Sequence, residues 1–278
     1  MQNFTELETN IKSIIDDLKG LCSTNGLSNT AGEEIVVTSV FLYKFLNDKF
    51  INNLHKFSKE LGVSYDELIA SKDDYMDGFY DTYPQDVAFA YEDTIDYLVQ
   101  SVGNNDFYKM FDETLVRISG YPQNDAFNID TAEGTKKPLF TPLSTYVEPS
   151  KRNAFAQNIF SYITRDRFDF GIANEGNYDF FSTIFEYLIS DYNVASGKYA
   201  EYFTPQALSN AIGKILVHMS PIKDTIYDIY DPSAGSGSLV LHLANELGNG
   251  KFGNKARVYT QDISQKSSRF LRINMLLN

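Results

Sequence analysis

Cysteine is nearly missing from this chain, with Cys22 alone. One thiol can close no internal disulfide and build no zinc site, so a reducing, cytoplasmic setting is the simpler expectation. Basic residues are scarce too: 24 Lys and Arg against 37 Asp and Glu leave a net charge of −13. A chain so acidic does not draw a nucleic-acid backbone through its overall field. If it works on DNA, a local basic patch or a partner has to supply most phosphate contacts. No uninterrupted apolar run approaches the roughly 18 residues that a membrane span needs. Residues 1–6 lack a basic region followed by an apolar stretch, so neither a signal peptide nor a membrane association is expected. Internal repeats and low-complexity tracts are absent as well.

What is present is core-forming material. Apolar residues make up 43% of the sequence and aromatics 14%. In 278 residues that is enough for one large domain or two ordinary ones. Phe4, Leu7, Ile11, Ile14, Ile15 and Leu18 recur at steps of three and four, which predicts a helix with Gly20 as its C-terminal cap. A second, more apolar helix follows around Ile35, Val40, Phe45 and Phe50, and Ser64 with Glu67 reads as a capping box. Further helices are expected over residues 86–102, 105–118 and 155–163. Residues 119–150, punctuated by Gly120, Pro122, Gly134, Pro138, Pro142 and Pro149, read as a loop-rich connector. The acidic, tyrosine-rich stretch 73–97 is either an interaction surface or a solvated helix face over ordinary tyrosine core.

From residue 166 the pattern changes. Helices are expected over residues 178–189 and 205–219, then a strand at 225–230, a glycine turn, a helix at 238–247, a strand at 256–261 and a helix at 265–277. Alternating strands and helices with short turns mark the start of an open parallel sheet. Two strands cannot complete such a sheet, so the chain is expected to be the front part of a longer protein.

The turn between the first strand and its helix carries the sharpest signal: Asp231, Pro232, Ser233, Ala234, Gly235, Ser236, Gly237, Ser238. In this architecture ligands sit beyond the carboxyl ends of the strands. Glycine at 235 and 237 is expected because a side chain would collide with a ligand pressed onto the backbone; a mere tight turn is the bland alternative. Val240 stands where a dinucleotide loop would have its third glycine, and no Lys follows as in a phosphate-binding loop. An acidic residue at the strand tip, Asp231, suits a cationic group such as the ammonium of a methionine moiety. Asp262, at the tip of the next strand, can accept bonds from both hydroxyls of a ribose or can cap the helix that follows. Upstream, Thr204 and Pro205 read as a helix start, with Thr204 as N-cap and Pro205 at the first helical position. His55, His218 and His242 read as structural or surface residues.

Together these elements resemble the modification (M) subunit of type I restriction-modification systems, a family of adenine-N6 DNA methyltransferases. The resemblance rests on Leu18 to Gly20, the apolar run Val40 to Leu46, Ile184 to Leu188, Glu201 to Gln206, Asp231 to Gly237, and Asn274 to Leu277. It implies a helical N-terminal assembly domain over residues 1–165 and, over residues 166–278, the start of a Rossmann-like S-adenosylmethionine-dependent methyltransferase domain, truncated here; the fold class is thus α followed by α/β. It implies S-adenosyl-L-methionine as cofactor, held by Glu201, Tyr202, Phe203, Thr204, Pro205, Gln206, Asp231, Gly235, Ser236, Gly237, Ser238 and Asp262, with no metal. Implied partners are DNA, a specificity subunit, a restriction subunit and a second M subunit. Ser238 stands where the family often has Gly, and Asp262 where it often has Glu. The family's Asn/Asp-Pro-Pro-aromatic motif, which holds a flipped adenine, does not occur in these 278 residues. The segment is therefore expected to contribute donor binding and no catalytic residue, and to be inactive alone. The alternative is a non-catalytic relic retaining an assembly domain and a partial cofactor site.

Overall fold

The computed structural model describes residues 4–84, 87–131, 133–165, 170, 178–194, 204–220, 226–248 and 255–277. In chain order the elements are α1 (Phe4–Thr24), α2 (Ala31–Leu61), α3 (Tyr65–Ala70), α4 (Lys72–Thr82), α5 (Ile95–Leu98), α6 (Phe107–Gly120), β1 (Ile129–Asp130), β2 (Lys136–Lys137), α7 (Arg152–Ile163), α8 (Tyr178–Val194), α9 (Gln206–Met219), β3 (Tyr227–Asp231), α10 (Ser238–Leu247), β4 (Ala256–Thr260) and α11 (Gln265–Leu277). Among the described residues no helix is long and apolar enough to cross a membrane. The chain divides into two compact units that are not contiguous in sequence. One is Asp16–Asn128 with Phe140–Ile172; the other is Met1–Ile15, Ile129–Leu139 and Ala173–Asn278.

The first unit is helical and is built on α2. Nearly every side of α2 is buried, from Val36 and Val37 through Tyr43 to Leu54 and Phe57, because apolar residues occupy far more than one helical stripe. Thr30 caps its start by accepting from the Glu33 amide, and Gly62, at φ +74°, ends it. Tyr43 is fully buried, and its hydroxyl donates to the Asp93 carbonyl at 2.7 Å. Asp93 is itself buried; its carboxylate accepts from Arg117 at 2.6 Å, from the Tyr121 hydroxyl at 2.7 Å and from the Ala90 amide at 2.9 Å. Asp48 is buried beside Lys44, 2.8 Å away, and accepts the Phe170 amide at 2.9 Å. Burial, partly offset by Lys44, holds the Asp48 carboxyl above the usual range.

Two sequence expectations change here. The first helix does not stop at Gly20: Leu21 and Cys22 prolong its buried stripe, and it ends where Gly26 adopts φ +81°. Residues 86–102 form no continuous helix. Residues 87–90 have no regular structure, with Ala90 extended, a 3-10 turn spans Tyr91–Asp93, and α5 starts afresh under Thr94, whose hydroxyl accepts from the Tyr97 amide. The Asp93 carboxylate bonded back to the Ala90 amide is what breaks the run.

In the second unit β3 and β4 pair in parallel, with Tyr227 opposite Ala256 and Asp231 opposite Thr260. Their inner face, Ile229 and Val258, packs on Val240, Leu241 and Ala244 of α10. Tyr230 and Tyr259 pair on the opposite, exposed face. α9 packs along α10 at Gly213, where a Cβ would make an ordinary contact, 3.5 Å from the Leu243 amide nitrogen. Phe270 of α11 meets Phe185 of α8 edge-on at 6.3 Å. The β1–β2 hairpin flanks α11: Arg269 donates to the Leu139 carbonyl at 2.8 Å, and Arg272 pairs with Asp130 at 3.2 Å.

Candidate functional site: the loop joining two parallel strands

The carboxyl ends of β3 and β4 are fastened together one residue at a time. The Gln261 amide donates to the Asp231 carbonyl at 2.9 Å, and the Ala234 amide returns a bond to the Gln261 carbonyl at 3.0 Å. One residue further, the Gly235 amide donates to Oδ2 of Asp262 at 2.8 Å. The two strand tips and the glycine loop thus form one continuous hydrogen-bonded rim. Asp231 contributes locally too, since its Oδ1 accepts from the Ser233 amide at 2.9 Å and shapes the turn. Ser236 and Ser238 bring their hydroxyls within 3.2 Å of each other. The structure therefore gathers Asp231, Gly235, Ser236, Gly237, Ser238 and Asp262 at one place.

The two loop glycines are needed for different reasons. Both occupy the left-handed region, Gly235 at φ +56° and Gly237 at φ +81°. A Cβ on Gly235 would meet nothing within 4 Å, so the space beyond it is open. A Cβ on Gly237 would come within 2.2 Å of Leu271 Cδ1. A side chain at Gly237 thus collides with α11 of the chain itself. Close packing of helix on loop is what fixes that glycine.

Asp262 does more than cap. The residue that caps α11 is Ser264, whose hydroxyl accepts from the Ser267 amide at 3.2 Å. Asp262 instead spends Oδ1 on the Ser264 amide at 2.8 Å and Oδ2 on Gly235. Each carboxylate oxygen has capacity for a second hydrogen, and the side chain is half-buried. The next residue, Ile263, is 104% exposed. An isoleucine so placed beside a carboxylate offers an apolar surface at the rim, and its exposure, unlike its residue type, carries no mark in the sequence.

Residues Glu201, Tyr202 and Phe203 lie outside the described residues. Thr204, Pro205 and Gln206 are described, and they differ from expectation by one position. α9 starts at Gln206, so Pro205 itself is the N-cap and Thr204 makes no cap bond. Proline has no amide to leave unsatisfied there, and its carbonyl accepts from Leu208 and Ser209 at 2.9 and 3.0 Å. The side chain of Gln206 accepts from Thr183 at 3.1 Å, which ties the turn to α8.

Sequence reasoning did not foresee the support given by α11. Asn274, buried, donates from Nδ2 to the Ser236 carbonyl at 3.0 Å, while Leu271 packs on Gly237. The signal available was a polar residue inside an apolar helix stripe, which calls for a buried acceptor. His242 is buried and its Nδ1 lies 2.7 Å from the Ser238 carbonyl, as a structural histidine should. Among the described residues no cluster of three His, Cys, Asp or Glu could hold a metal ion.

The sequence profile of the N-6 DNA methylase family matches residues 176–278. That segment is similar to N-6 DNA methylases. Over 101 residues the chain is 38% identical to the methylase subunit of the type I restriction enzyme MpnII of Mycoplasma pneumoniae, a match covering 36% of this chain and 18% of that protein. The crystal structure of the type I restriction-modification methyltransferase subunit from Streptococcus thermophilus superposes with a TM-score of 0.67 at 17% identity. That superposition covers 97% of this chain and 56% of the other, so the helical unit and the start of the α/β unit both have the fold of such a subunit. The chain spans about half the length of that solved methyltransferase subunit.

Proposed function

We propose that this chain carries the methyl-donor half of an adenine-N6 DNA methyltransferase, acting as the modification subunit of a type I restriction-modification system. The observation that carries the reading is the bond from Gly235 to Asp262, which sets a carboxylate at the carboxyl ends of two parallel strands within a segment that matches the N-6 DNA methylase family. The donor is S-adenosyl-L-methionine, which supplies an electrophilic methyl group on a sulfonium. The residues present fit it: an open space beyond Gly235, unused acceptor capacity on Asp262, and the exposed Ile263 beside it. Asp262 accepts the ribose hydroxyls, and Ile263 offers its side chain to a flat heteroaromatic ring. Asp231 takes the ammonium of the methionine moiety. Ser236 and Ser238 shape the loop between these groups.

Holding of the adenine falls to residues that these 278 do not include, since no Asn/Asp-Pro-Pro-aromatic tetrapeptide is among them. The net charge of −13 supports a division of labour in which a specificity subunit contacts DNA. A restriction subunit and a second M subunit complete the assembly, with the helical unit as its docking part. The test is ligand-dependent thermal unfolding of the full chain. Saturating S-adenosylmethionine raises the midpoint by mass action and NAD leaves it unchanged. Equal protection by NAD, or none by either, would overturn the reading.

A further inference from the structure

The helical unit contains a feature that methyl-donor binding does not use. A cavity of about 260 Å³ opens between α2, α4 and residues 88–92. Its floor is Phe50, Leu54 and Phe89, and Met76 and Ile69 stand at its wall. Three tyrosines, Tyr80, Tyr91 and Tyr121, also line it. The hydroxyls of two are already engaged: Tyr80 donates to the Phe89 carbonyl at 2.7 Å and Tyr121 to Asp93 at 2.7 Å. Those two offer a ligand their ring faces only. The volume falls below the roughly 300 Å³ at which pockets for whole small molecules begin, and it suits one bulky side chain.

The cavity does not stand alone. A groove of about 540 Å³ along α6 shares Ala90, Glu92 and Tyr121 with it and continues past Tyr97 and Met110 to Glu113. The charge on this surface is predominantly negative, although α4 begins at Lys72 and Lys109 stands near Glu113 on α6. Glu92 and Glu113 line the groove, and α4, which supplies Met76 and Tyr80, also carries the exposed Asp74, Asp77 and Asp81. Arg117, the cation lining the groove, is neutralised by Asp93 at 2.6 Å.

We infer that this face docks a polypeptide segment of another protein that presents one bulky apolar side chain flanked by lysines or arginines. The apolar side chain fills the cavity as a buried anchor, and the flanking cations face the acidic groove, which sets orientation and speeds encounter. Charge decides between occupants. A nucleic acid is repelled by this rim, and a second copy brings another −13. The acidic, tyrosine-rich stretch 73–97 is thereby assigned a purpose that does not depend on the methyl-donor reading.

The test is fluorescence anisotropy of the full chain with labelled synthetic peptides, each carrying one Phe or Leu between Lys and Arg residues, against the same peptides with Glu in place of the cations. Basic peptides bind, more weakly as salt rises, and acidic ones do not. Glu92→Lys with Glu113→Lys, and separately Met76→Glu, each weaken binding at least about tenfold while the far-ultraviolet dichroism is unchanged. Equal binding of both peptide sets, wild-type affinity in both variants, or binding of no peptide would overturn the inference. So would a concentration-dependent dimer in sedimentation that Met76→Glu dissolves, because the occupant would then be a second copy.

Discussion

The Gly235 amide and the Asp262 carboxylate lie 2.8 Å apart, although 27 residues separate them in sequence. That single bond makes the loop after β3 and the tip of β4 one object, so changes on either side are felt by the other. It also gives Asp262 two duties, holding the loop and presenting acceptors outward.

The glycine loop separates stability from binding. Gly237→Ala forces a Cβ to 2.2 Å from Leu271 at φ +81°, and strain plus overpacking should cost about 2–4 kcal/mol in urea unfolding. Adding Leu271→Ala removes the clash, though not the strain, so the double variant should not lose the sum of the two single costs. Gly235→Ala meets open space and should cost only the backbone strain, about 1–2 kcal/mol. An equal loss in both single variants would show that the α11 contact does not matter.

In the helical unit Asp93 is the node. It is buried and binds Arg117, Tyr121 and the Ala90 amide. Asp93→Ala leaves all three without their acceptor and should lower the unfolding free energy by about 3 kcal/mol, against about 1.5 kcal/mol for Tyr121→Phe. Urea titration with an unchanged slope measures both.

Cys22 provides a pH dependence with a definite sign. Burial, with a smaller push from Glu33, raises its thiol from 9.0 to about 12. Above pH 9 the unfolded chain gives up this proton while the folded chain keeps it. Stability is therefore full below that pH and falls as pH rises toward 12. Urea unfolding on either side of pH 9 should show a shallower alkaline decline in Cys22→Ala than in the wild type. Rapid iodoacetamide labelling of the folded protein near neutral pH would contradict a buried thiol.

Much of the α/β unit was legible because its signals are local. Period, N-caps and glycine placement put α10 and α11 at Ser238–Leu247 and Gln265–Leu277, as the structure has them. The loop's glycines are visible in the sequence, but the packing that constrains Gly237 is not, since Leu271 reaches it only through tertiary structure. The broken run 86–102 failed for a similar cause: Asp93 is polar and helix-compatible on paper, and only its buried partners, Arg117 and Tyr121, show why it turns back on Ala90. The Thr204–Pro205 start was misplaced by one residue because both residue types suit a helix entry and sequence alone does not rank them. Exposure of Ile263 had no sequence signature at all, because an apolar residue is assigned to a core until the fold says otherwise.

The central claim is that Asp262 and the loop it holds bind a methyl donor, and isothermal titration of the full chain with S-adenosylmethionine tests it most directly. Wild type should bind, Asp262→Ala should lose about 1.5–3 kcal/mol of binding free energy, and Asp262→Glu, which restores the carboxylate, should recover most of it. Unaltered affinity in Asp262→Ala would reduce this carboxylate to a fastener of the loop and would contradict the account.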